Sequence, residues 1–114
     1  MSGNKSRRKG AQYERDVAKH LDSLDGVSAK KVSGMYISGP DIRAEVDLPC
    51  RASLSLSVEC KNHSRMSVPQ WFQQCVTEAP DGCEPVLVCK HPGTSTVADD
   101  YVVMSMETFS KLIS

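Results

Sequence analysis

Ser53-Leu54-Ser55-Leu56-Ser57-Val58-Glu59-Cys60-Lys61 is the stretch from which the rest of the chain is read. Leu54, Leu56, Val58 and Cys60 alternate with Ser55, Ser57, Glu59 and Lys61, the period of two that a β-strand imposes on its side chains. One face of the strand is apolar. The other is polar and ends with Glu59 and Lys61 side by side, about 6–7 Å apart at Cα. An isolated Glu-x-Lys on a strand is ordinarily an ion pair on a solvated face, so its surroundings decide whether it is more.

Upstream, Pro40-Asp41 stands at a loop-to-strand junction, and Asp41 to about Asp47 reads as a strand turned by Leu48-Pro49-Cys50-Arg51-Ala52. If this strand and Ser53–Lys61 pair as a hairpin, Asp41 and Glu59 come together at one end of the sheet. Two hard carboxylates so placed suit Mg²⁺ or Mn²⁺, which take oxygen ligands and keep several waters. Glu45 and Asp47 share the register of Asp41 and stay open as alternatives to it.

Further upstream, Val27–Val32 is a short strand and 33–40 a loop punctuated by two glycines and a proline, in which Ser33 and Ser38 are candidate substrate contacts. From Gly10 to about Asp25 the pattern is helical. Tyr13, Val17, Leu21 and Leu24 form one apolar stripe, and Gly26 follows as a stop signal. Glu14 sits at the border of that stripe, within reach of the sheet edge. Residues 1–9 hold Lys5, Arg7, Arg8 and Lys9 without an acid and read as a flexible arm that settles on phosphates. Residues 10–114 read as a single domain.

Downstream, Ser67 is the expected N-cap of a helix to about Thr77, with Pro69 in its first turn. Gln70, Gln73 and Gln74 on it are candidate phosphate contacts or, equally, a solvated face. Trp71 and Phe72 are expected in the core or a dimer surface. Pro85–Cys89 is a buried strand, Tyr101–Met104 another, and Phe109, Leu112 and Ile113 mark a terminal helix. The order α-β-β-β-α-β-β-α implies an α/β fold with a central mixed sheet flanked by helices.

The bulk composition fits this reading. A chain of 114 residues with 39% hydrophobic and 25% charged residues builds one core. It contains no run of about 18 apolar residues, and its basic N-terminus lacks the apolar stretch of a secretory signal. No membrane role and a cytoplasmic, intracellular setting are expected. Five cysteines, an odd count without a CxxC pair, point to free thiols rather than disulfides or structural zinc. The formal charge is zero, but its distribution is uneven. Residues 1–31 carry eight Lys/Arg against four Asp/Glu, and residues 78–114 carry two against six. Such a dipole can turn one basic face to a polyanion. His20, His63 and His91 have no paired ligand spacing, and a surface loop is the expected place of His63.

Gly39-Pro40-Asp41-Ile42 followed by Val58-Glu59-Cys60-Lys61 resembles the motif of the PD-(D/E)XK nuclease superfamily. Lys9-Gly10-Ala11-Gln12-Tyr13-Glu14 is similar to the first helix of its small members, archaeal and phage Holliday-junction resolvases above all. The resemblance extends over most of the chain and implies a restriction-endonuclease-like core. It also implies metal-assisted hydrolysis of DNA phosphodiesters, with Asp41, Glu59 and the Cys60 backbone carbonyl as Mg²⁺ ligands and Mn²⁺ a substitute. Lys61 would act on the attacking water or the phosphate charge, and Glu14 on the metal directly or through water. The expected substrate is branched DNA, because a domain this small reads shape and phosphates rather than bases, and the resemblance implies a homodimer that presents two active sites to two strands. A nicking, single-strand or restriction-like nuclease, and a non-catalytic DNA-binding subunit of the same fold, are the competing readings.

Overall fold

The computed structural model describes residues 2–34, 39–49, 51–65, 67–93 and 96–114, without the side chains of residues 2–6 and 51. Ser38 and Cys50, and the side chain of Lys5, lie outside the described residues. The elements run α1 (Ser2–Asp22), β1 (Val27–Lys31), β2 (Ile42–Leu48), β3 (Arg51–Lys61), α2 (Val68–Glu78), β4 (Cys83–Cys89), a 3₁₀ turn (Val97–Asp99), β5 (Tyr101–Val103) and α3 (Met106–Ile113). This is the expected order. The five strands lie side by side in chain order. β1, β2 and β3 form an antiparallel meander, β4 joins β3 in parallel through α2, and β5 closes the edge antiparallel.

The alternation in β3 sets the layering. Leu56, Val58 and Cys60 face α1, where they meet Tyr13, Val17 and Ala18 together with Ile42 and Ala44 of β2 and Val86 and Val88 of β4. The α1 stripe falls at i, i+4 and i+8, so one side of the helix covers the sheet. On β4, Leu87 and Cys89 are as fully buried as Val86 and Val88. A continuous apolar run suits a strand covered on both faces. The second cover is α2, whose Cys75 thiol donates to the Ser57 carbonyl at 3.8 Å. Cys60, Cys75, Cys83 and Cys89 are free thiols, as expected.

One expectation is corrected: the first helix begins at Ser2 and not at Gly10, so residues 2–9 form its opening turns. The segment is rich in Lys, Arg and Ser and free of proline, so it can extend a helix already nucleated by its packed half. It carries no apolar residue, which is why periodicity does not reveal it. On the polar face of β3, Ser57 and Glu59 are buried beneath α2, while Ser53 stays exposed. A parallel β3–β4 pair needs a crossover helix, and that helix must lie on one face of the sheet.

Local signals fix the ends. Gly26 adopts φ +76°, which a side chain would resist, and its carbonyl accepts the Asp47 N–H at 2.7 Å, tying the helix exit to β2. Ser67 precedes α2 as expected, but its hydroxyl donates to Gln70 Oε1 and makes no capping bond. Ser105 does cap α3, accepting the Thr108 N–H at 3.1 Å. Thr108 and Lys111 then reach Glu84 at 3.1 and 3.2 Å and fasten α3 to β4. Among the described residues, no helix is long and apolar enough to cross a membrane.

Candidate active site

Asp41 sits immediately before β2, and its backbone is held on three sides. Its N–H donates to Val58 O at 3.0 Å, and its carbonyl accepts from Val32 N at 2.8 Å and Ser33 N at 3.1 Å. The side chain is fixed as well, since Oδ2 accepts the Cys60 N–H at 2.9 Å. The antiparallel register that pairs Ile42 with Val58 thus brings Asp41 to the Glu59-Cys60-Lys61 end of β3. Glu45 and Asp47 lie further along β2 and are exposed, and Glu45 is engaged by the Ser55 hydroxyl at 2.7 and 2.8 Å. The geometry distinguishes Asp41 from both.

Glu59 is only 6% exposed, and its Oε2 is buried without a hydrogen-bond partner among the described residues. Burial, then the charge of Asp41, then the Glu78 carboxylate push its pKa from the ordinary 4.5 up to about 9, against the pull of Lys61. Asp41 is raised for the same first reason, burial, and by the charge of Glu14, although the Cys60 N–H holds it down. Each carboxylate is therefore short of positive charge.

Glu14 approaches from α1. Its Oε1 accepts from the Ser33 hydroxyl and lies 3.7 Å from Lys31 Nζ. Glu14, Asp41, Glu59, Cys60 and Lys61 wall one cavity of about 380 Å³, together with Lys9, Gly10, Asn62, His63 and Ser64. The four expected catalytic residues therefore meet in one place. Cys60 turns its thiol into the core, where burial first and then the charge of Asp41 push its pKa up. What it offers the cavity is main chain.

Other expected contacts are not gathered there. Arg7 and Arg8 are exposed on α1, and Gln73 and Gln74 are exposed on α2; none lines this cavity. Gln74 instead donates to Glu78 at 3.3 Å. Trp71 is half-buried, with its ring 5.4 Å from that of His63.

Sequence reasoning missed Glu78, Asn62 and Ser64. Glu78 had left a signal: it is an acid in the last turn of α2, where the helix dipole disfavours negative charge and no basic residue offsets it. Asn62 and Ser64 show no pattern that marks them.

The donor set fits a hard cation. Asp41 and Glu59 supply carboxylate oxygens, and the unpartnered Oε2 is an acceptor that a cation would satisfy. Among the described residues no three His, Cys, Asp or Glu form a ready-made metal cluster.

A family model described as "Phage putative PDDEXK endonuclease" matches residues 5–114. No curated protein matches the chain. Among solved structures, the fold is similar to that of Archaeoglobus fulgidus Hjc, a Holliday junction resolvase from an archaeal hyperthermophile. The TM-score is 0.53 at 24% sequence identity, covering 84% of this chain and 88% of that one.

Proposed function

The chain belongs to the phage PDDEXK endonuclease family, and from that premise we propose that it is a Mg²⁺-dependent endodeoxyribonuclease that resolves branched DNA. The carrying observation is the buried, unpartnered Glu59 Oε2 beside Asp41, in one cavity with Lys61 and Glu14. Asp41, Glu59 and the Cys60 carbonyl would hold the ion. When bound, it supplies charge neutralisation at the phosphate and a lowered pKa for water.

The protein's own groups do the rest. Lys61 presents an ammonium at the end of β3, where it orients the attacking water and stabilises the charge that grows on the phosphate oxygens. Glu14, restrained by Ser33 and Lys31, would bind the ion directly or through a water. The exposed Arg7 and Arg8 would meet the phosphates outside the cavity, and Gln73 and Gln74, exposed on α2, would contact further phosphates of the substrate.

A branched substrate and a homodimer are supported by the likeness to Hjc and by the surface. Met106, Phe109 and Ile113 recur at i, i+3 and i+7 on α3, with the first 76% and the last 68% exposed, and Val102 on the edge strand β5 is exposed too. A two-fold dimer through this face would offer two active sites to two strands.

The test is incubation of purified protein with labelled four-way junction, linear duplex and single-stranded DNA, in Mg²⁺ or in EDTA. Cleavage of the junction in Mg²⁺ alone is expected. Full activity in excess EDTA would overturn the metal mechanism, and equal cleavage of all three DNAs would remove junction selectivity. Light scattering that finds only monomer at micromolar protein would remove the dimer.

A further inference from the structure

A second concavity adjoins the active site. It has a volume of about 280 Å³ and shares Lys9, Asn62, His63 and Ser64 with the first, its remaining wall being Lys90, His91, Pro92 and Gly93. The charge differs in kind: the first cavity is walled by three carboxylates, the second by two lysines and no Asp or Glu. The family motif does not extend to Lys90 or His91.

The far wall is held firmly. Lys90 follows β4 directly, and its N–H donates to the Lys61 carbonyl at 2.9 Å, so the two lysines leave adjacent parallel strands together. The carboxyl ends of parallel strands are where open α/β sheets bind ligands. Lys90 Nζ lies 5.6 Å from the centre of the buried Tyr13 ring, an attraction that confines the cation without neutralising it. Asp100 braces the arrangement from behind. Its two oxygens accept the Tyr13 hydroxyl at 2.7 Å and the His91 N–H at 2.9 Å. The His91 ring is set by the Tyr101 ring at 5.0 Å. This acid is therefore engaged by two donors in the scaffold and is not part of the cavity wall.

We propose that the Lys9–Lys90 cavity is a phosphate subsite, which takes the phosphate next to the scissile one on the strand being cut. The assignment rests on the nuclease reading and adds to it how the strand is threaded. With Lys9 on both walls, a strand whose scissile phosphate meets Asp41, Glu59 and Lys61 must send a neighbouring phosphate over Lys9 toward Lys90. Two successive negative charges then meet first a carboxylate–cation site and then a purely basic one. Lys90 is a binding residue here and takes no part in the chemistry.

The experiment uses the full chain and a DNA cut at one mapped position, with single neutral methylphosphonates placed one by one on either side of it. In EDTA, Lys90→Gln should bind the unmodified DNA more weakly and lower the salt slope of log K by about one. In Mg²⁺, one neutral linkage and Lys90→Gln should each reduce kcat/KM roughly tenfold. The two together should do no worse than either alone, since both remove one contact. Lys90→Arg should restore most of the loss.

Additive losses at every linkage position, or an unchanged salt slope, would overturn the subsite. A Lys90→Gln variant that melts early is set aside in favour of Lys9→Gln, which lies on exposed helix and makes the same prediction. If wild-type protein cut no DNA at all, the nuclease reading would fall, while the binding arm would still decide the subsite.

Discussion

The carboxylate cavity and the basic cavity share a wall, yet they hold their charges in different ways. In the first, Asp41 and Glu59 are drawn out of water, and Glu59 keeps an oxygen with no partner. In the second, Lys9 is exposed and Lys90 half-exposed, with its cation against an aromatic ring. Buried unpaired charge destabilises the protein until a ligand neutralises it, whereas exposed charge costs little and acts only when a polyanion arrives. Substitutions in the first cavity should therefore trade stability against chemistry, and those in the second should change binding alone.

Removing the chemistry is the sharpest way to separate the two. Asp41→Asn and Lys61→Ala should each lower kcat by on the order of 10²–10³ or more, with DNA affinity in EDTA nearly unchanged, as gel-shift titration and single-turnover cleavage will show. A near wild-type rate for Asp41→Asn would transfer the role to Glu45 or Asp47.

Metal comes next. Mg²⁺ at about 100 times its Kd should stabilise the wild-type chain by about 2.7 kcal/mol, seen as a rise in Tm. The same titration on Glu59→Gln should give little or no rise. Equal rises in both would place the ion elsewhere.

Proton linkage gives a smaller effect of opposite sign. Glu59 has a folded-state pKa above its unfolded value, so the folded chain holds a proton that the unfolded chain releases between about pH 4.5 and 9. The stability tied to this group is intact below that window and is lost as pH rises through it. Metal-free wild type should thus melt at progressively lower temperature from pH 5 to pH 9. Glu59→Gln, which has nothing to titrate there, should show a shallower decline and a Tm higher by a few °C, on the order of 1 kcal/mol, near pH 8. A steeper decline in the variant would contradict the burial argument.

The smallest effect probes the scaffold of the basic cavity. Tyr13→Phe removes the hydroxyl that donates to Asp100 but keeps the ring under Lys90. It should cost about 1 kcal/mol by thermal melting and leave kcat unchanged. A large fall in kcat would mean that the two cavities are mechanically coupled rather than merely adjacent.

Much of the fold was legible because it is local. The alternation through Ser53–Lys61 and the stripe Tyr13, Val17, Leu21 are periodicities that a few neighbouring residues express, and both reappear on the core side, while Leu24, expected to continue the stripe, lies beyond the helix end and is exposed. Asp41, Glu59, Lys61 and Glu14 were legible through the motif, and the hairpin register carried Asp41 to Glu59 as that reading required. The start of α1 was not, since Ser2 to Lys9 has no apolar residue to show a period. Nor were Glu78 and Lys90, which reach the site from α2 and the end of β4.

By itself the sequence determined the order of elements and the face of each that turns inward, which follow from backbone geometry repeating every two or 3.6 residues. The grouping of Asp41, Glu59, Lys61 and Glu14 came from the resemblance to a family motif. Only the tertiary structure decided that Ser57 and Glu59 are buried, that Glu59 Oε2 has no partner among the described residues, and that Lys90 stands beside Lys61. These depend on where the crossover through α2 lays its helix and on the parallel register of β3 with β4, which bring together residues far apart in the chain.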